Sequence, residues 1–274
     1  MSQTRNNHGF VNTRGPKEGH CNICDDFGPL TEDHVPPKGT LLIRQADLFH
    51  IIELLNAEAP GSKCKFRHMQ SGVNFRSLCG RCNNSLLGAE YDPALIEFSN
   101  TVTQFLKTAV SVPELSMVEV NPGRISRAVI GHLFAVGIER RERTPMLKAA
   151  EEFFLSTAVP LSEGVEIYYW VYPYRRQVAI RDGALLTDFF KSPPIVFWCL
   201  KYFPLGFIVT WGNDQPKRVR LPKLRDFMLH GGDHPAKIPV SFKGFPHQSW
   251  PEAPESKGAV LYGDGSVGAV PRAG

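Results

Sequence analysis

The spacing of apolar residues changes character twice along the chain. Residues 1–19 are polar, rich in Asn, Arg, Gly and Lys, and aperiodic, which predicts a flexible arm. Between 41 and 55, Leu41, Leu48, Ile51, Ile52 and Leu55 recur at helical spacing, and Pro60-Gly61 would end that helix. The basic stretch SKCKFRHMQSG that follows reads as a loop. Leu95, Phe98, Val102, Phe105 and Leu106 predict a second helix over 93–110. A break near Pro122 precedes a third helix over 124–143, and a fourth spans 145–155 with Pro145 in its first turn. Then the texture shifts. VEIYYWVYPY, QVAIRDGALLTDFF, IVFWCLKYF and LGFIVTWG are aromatic and β-branched, and Asp182-Gly183 is a hairpin signal. Residues 164–212 therefore predict an antiparallel sheet of three to five strands. After Trp250 the chain is rich in Gly, Pro, Ala and Ser, so 251–274 is expected to be a partly disordered tail. The class is α+β: an N-terminal domain over 20–92, a helical segment over 93–157 and a β-rich region over 158–250.

Composition narrows the function classes. With 274 residues, 42% hydrophobic and 21% charged, the chain has the balance of an ordinary globular protein. A net charge of +4 permits nucleic-acid binding without arguing for it. No apolar run reaches the 18 or more residues of a spanning helix, and MSQTRNNHGF lacks a secretory core, so a cytoplasmic location is expected. Neither a phosphate-binding G-x-x-x-x-G-K-[ST] loop nor a G-x-S-x-G elbow occurs.

Six cysteines remain, and their arrangement carries the chemistry. Cys21/Cys24 and Cys79/Cys82 form two C-x-x-C pairs, while Cys64 and Cys199 stand alone and read as small buried hydrophobes. Without an export signal, paired C-x-x-C units predict metal ligands rather than disulfides. Two such pairs make a closed four-sulfur zinc shell with no open coordination position, so the site is structural. The 54 residues between Cys24 and Cys79 exceed the span of a simple zinc ribbon, so the pairs must clamp the two ends of something longer.

Between the pairs lie Glu32-Asp33-His34-Val35-Pro36-Pro37-Lys38 and Asn74-Phe75-Arg76-Ser77-Leu78, with Asn83 directly after Cys82. This combination resembles the HNH endonuclease family over residues 20–92. The resemblance implies a zinc-stapled ββα-metal domain, with Asp33 as a catalytic-cation ligand and His34 as the general base. Asn74 would brace the hairpin, and Asn83 would be the second ligand, on a helix starting near Cys82. Glu32 is the alternative at the acidic position. An oxygen-rich site of this kind suits Mg²⁺ or Mn²⁺. Lys38, Lys63, Lys65, Arg67, Arg76 and Arg81 are the nearby cations, with Lys38, Arg76 and Arg81 taken as substrate contacts. The implied substrate is DNA, RNA not being excluded, cut to a 5′-phosphate and a 3′-hydroxyl, in settings such as restriction or anti-phage defence. The stretch from His34 to Asn74 is longer than the family hairpin, which makes the 41–55 helix an insertion.

The other histidines are weaker candidates. His50 and His132 fall in apolar helices and read as packed; His20 adjoins the zinc shell, and His68 lies in the basic loop within reach of substrate. Asp233-His234-Pro235 reads as a turn. The C-terminal region is the candidate surface for a homodimer or a regulatory partner. The rival reading is a non-catalytic zinc-binding module that recognises nucleic acid or a protein, with the aromatics of 167–174 stacking bases.

Overall fold

The computed structural model describes residues 9–40, 43–56, 64–108, 111–140, 142–186, 194–212, 221–229, 233–253, 259–263 and 265–272. The protein is mixed α+β with antiparallel sheets. Near the N-terminus, β1 (Glu18–His20), β2 (Phe27–His34) and β5 (Asn74–Cys79) form a small antiparallel sheet with β2 in the middle. The segment before β1 is no loose arm in its described part. Val11, Thr13 and Gly15 are buried in alternation, and the Thr13 carbonyl accepts from Arg76 N at 2.9 Å. A Cβ at Gly15 would collide with the Arg76 carbonyl, so only glycine lets the chain run this close.

Residues 41–55 depart from the predicted helix. Ala46–His50 is a strand, β3, followed by the short helix α1 (Ile51–Asn56); residues 41 and 42 lie outside the described residues. β3 pairs on one side with β4 (Arg67–Met69), part of the expected loop, and on the other with β13 (Val267–Pro271). Its apolar spacing suits either element, and pairing with a distant strand decides the outcome.

The large sheet has the order β4-β3-β13-β8-β9-β10-β7, with β12 (Ala259–Leu261) also on β8. β7 (Val165–Val171), β8 (Gln177–Leu186), β9 (Ile195–Tyr202) and β10 (Leu205–Trp211) form the antiparallel run expected over 164–212. Two corrections follow. The tail expected to be partly disordered supplies β13, which sits inside the sheet between β3 and β8. Asp182-Gly183 is a bulge within β8 rather than a hairpin turn: the register shifts between Ile180 and Gly183, and Asp182 has φ 55°. This bulge and a primed hairpin turn both use the left-handed backbone, so one dipeptide signals either.

The helices fill the centre. A π-helical run, Arg81–Tyr91, passes directly into α2 (Asp92–Lys107). The third helix, α3 (Pro122–Ala135), stops eight residues short of the predicted end at 143, just before Gly137 with its φ of 85°. Asn121 caps α3, accepting from Arg124 N at 2.9 Å, and every residue of α3 except Arg124 is buried. α4 (Pro145–Leu155) packs on α3. Buried polar groups on α3 are matched individually: Arg127 donates to the carbonyls of Phe153, Ser156 and Val159, closing the C-terminal end of α4. A two-stranded pair, β6 (Leu115–Val120) with β11 (Ala236–Ser241), completes the fold. Asp233 is more than part of a turn, since it takes both Nε and an Nη of Arg124.

Candidate functional site

The two C-x-x-C pairs meet. Cys21 and Cys24 lie on the turn after β1, Cys79 ends β5, and Cys82 lies in the first turn of the π-helical run; all four sulfurs lie within 4.8 Å of one another. A tetrahedral zinc with bonds of about 2.3 Å separates its sulfurs by about 3.8 Å. The Cys24 and Cys79 sulfurs are 3.7 Å apart, so the donor set fits. The thiols behave as such a cluster must. A hydrogen bond with Cys82 lowers the Cys21 pKa to about 5, while burial pushes Cys24 up to about 12, and the bond to Cys21 together with burial pushes Cys82 up as well. Cys21 ionises readily while Cys24 and Cys82 resist, and a bound cation would favour the thiolate at each. Outside this cluster, Cys199 is buried, whereas Cys64 is only half-buried against the expectation.

The cluster anchors the β2–β5 pair. Leu30 pairs with Cys79, Glu32 with Arg76, Asp33 with Phe75, and His34 with Asn74, with a register shift between Thr31 and Glu32. Alternation along β2 then sorts its last three residues. Glu32 and His34 face an open cleft of ≈ 630 Å³, and Asp33 faces inward. The cleft is also lined by Thr13, Arg14, Lys38, Arg67, His68, Gln70, Ser71 and Asn74. The His34 ring is partly buried, with a backbone hydrogen bond at Ser71 and an Nε2 that is buried without a partner. Burial, then the charge of Lys38, lowers its pKa below 6.5 in spite of Asp33 and Glu32, leaving a neutral imidazole at pH 7.

Asp33 and Asn83 do not converge on an open cation position. The Asp33 carboxylate, 6% exposed, accepts from His132 Nδ1 at 3.0 Å, and His132 Nε2 donates to Asp92 at 2.9 Å. His132 is packed, as expected, but between two carboxylates. Burial opposes its charge, yet Asp92 and Asp33 outweigh burial and raise its pKa to about 10. Burial pushes the Asp33 carboxyl up, with His132 pulling against it. Asn83 spends its amide nitrogen on Thr31 Oγ1 (2.9 Å) and the Glu32 carbonyl (3.1 Å), clamping the helix to the β2 bulge. Neither Asp33 nor Asn83 lines the cleft.

The remaining expected contacts divide. Lys38 and Arg67 line the cleft; Arg76 does not, but pairs at 2.7 Å with Glu32, which does; Lys65 and Arg81 do not line it, and Lys63 lies outside the described residues. His20 holds its knuckle through the Asp25 carbonyl at 2.7 Å. His50 lies on β3 rather than in a helix. Sequence reasoning missed Arg14, Asp47 and Asp92. For Asp92 a signal existed: a histidine among the apolar residues of a buried helix needs polar partners from elsewhere. No helix among the described residues is long and apolar enough to cross a membrane. Compared with known family models, curated proteins and solved structures, the chain matches none.

Proposed function

We propose that the chain is an HNH-type endonuclease that hydrolyses phosphodiester bonds of DNA in the cleft beside His34. One observation carries the reading: a neutral imidazole, its Nε2 buried without a partner, lines a cleft with three cations, Arg14, Lys38 and Arg67. His34 takes a proton from the attacking water, and the cations hold the phosphate and offset its charge. Asn74, register-paired with His34, steadies that strand end. The motif resemblance adds support, as does the chain order of two antiparallel strands followed by a helix rooted in the four-cysteine cluster. Zinc there would hold the hairpin and take no part in the reaction.

The donor set for a second, catalytic cation is not the expected one. Asp33 is committed to His132 and Asn83 to β2, so they do not fit a hydrated Mg²⁺ or Mn²⁺. On the cleft side the one carboxylate among the lining residues is Glu32, with neutral oxygens from Thr13, Gln70, Ser71 and Asn74. The burial of Asp33 favours a second reading, a zinc-stabilised module that binds nucleic acid without cutting it. Plasmid nicking over a range of divalent metals separates the two. The nuclease reading expects wild type to nick and His34→Ala to be about a hundredfold slower or more. Intact plasmid with both proteins under every metal would sink it.

A further inference from the structure

The cleft holds a second imidazole. His68 of β4 is register-paired with Asp47 of β3, and His68 Nδ1 lies 2.6 Å from Asp47 Oδ1. An ionised carboxylate only accepts, so Nδ1 donates to Asp47, and in the protonated ring Nε2 carries the second proton, the one free to transfer. The side chain is 55% exposed and lines the same ≈ 630 Å³ cleft as His34. The two imidazoles arrive on different sheets: His34 on the small sheet, His68 at the edge of the large one. Between β4 and β5, Ser71 makes its backbone bond with His34, and Gly72 N donates to the Arg44 carbonyl at 2.9 Å, tying this connection to the residues before β3. An exposed ion pair adds little to stability, so the oriented imidazole is the consequence that matters.

We propose that His68, oriented by Asp47, is the general acid that protonates the leaving oxygen while His34 serves as base. This rests on the nuclease reading. The water oxygen bonds to phosphorus as its proton passes to His34. The bond from phosphorus to O3′ breaks, its electron pair stays on O3′, and O3′ takes the proton from His68 Nε2. Solvent exchange then returns both rings to their starting states. The need is chemical: an alkoxide is about as basic as hydroxide, so it leaves slowly without a proton.

A DNA substrate with sulfur in place of the bridging 3′ oxygen provides the test, because a thiolate leaves without protonation. On the ordinary ester, His68→Ala should be slower than wild type by about 10²–10⁴-fold. On the sulfur ester it should approach the wild-type rate, and His34→Ala should stay slow on both. Asp47→Asn should show a smaller defect that the sulfur ester also removes. His68→Gln guards against a folding defect and should follow His68→Ala. Equal slowing of both His68 variants on the two esters, or no slowing on either, overturns the general-acid role alone. Failure of wild type to cut either ester removes the nuclease reading and this inference together.

Discussion

The two faces of β2 place histidines in opposite circumstances. On the inner face, His132 lies fully buried between Asp33 and Asp92, and two carboxylates outweigh burial to raise its pKa to about 10. On the outer face, His34 has no carboxylate bonded to its ring; burial and Lys38 lower its pKa. The inner imidazole is held charged at neutral pH and fastens α2 and α3 to the strand. The outer one lines the cleft, with its Nε2 buried and unpartnered. Adjacent residues in a strand point to opposite sides, so Asp33 and His34 meet different media although one peptide bond joins them.

The largest expected effect undoes both faces at once. Cys79→Ser removes a sulfur from the end of β5, and structural zinc in small peptides is worth about 10–16 kcal/mol. Metal content should fall from about one zinc per chain to little or none, with loss of cooperative unfolding. Stoichiometric zinc in the variant would contradict the four-sulfur shell. Next, His132→Ala leaves two buried carboxylates without their cation, a loss of about 3–5 kcal/mol by denaturant unfolding. His132 also sets a pH dependence. Its folded pKa is raised from 6.5 to about 10, so its stabilisation is present below pH 6.5 and lost as pH rises through about 10. Wild type should weaken over that window, and His132→Gln should weaken less; parallel curves would remove the buried imidazolium.

Of similar size on a different axis, His34→Ala should lower cleavage by about 10²–10⁴-fold, which is about 3–5 kcal/mol of barrier, while unfolding hardly changes. A large stability loss would instead make the outer face a second structural face. The smallest effect is that of Asn83→Ala. It leaves Thr31 and the Glu32 carbonyl without their amide donor, at about 1–3 kcal/mol, and thermal unfolding measures it.

Local signals carried part of this far. The repeated C-x-x-C spacing pointed to the four-cysteine cluster, because two cysteines with two residues between them on a tight turn is a local geometry. The β7–β10 run was legible from its aromatic and β-branched texture. His68 and Asp47 were not legible as a pair, since they lie on what read as a loop and a helix, and only cross-strand pairing makes them neighbours. The Asp33-His34 dipeptide was visible, but not which side of the strand each residue faces once β2 is packed.

By itself, then, the sequence determined the ligand inventory, the α+β class and the dipeptide around which a cleft forms, all properties of spacing and residue type. The tertiary structure alone decided that β13 enters the sheet beside β3, that His132 takes Asp33 out of the cleft, and that Asn83 clamps the β2 bulge. Those outcomes join residues up to about 220 positions apart in the chain, as in the pairing of Val267 with His50. No local pattern encodes such pairs; burial and the matching of polar groups select them when the core closes.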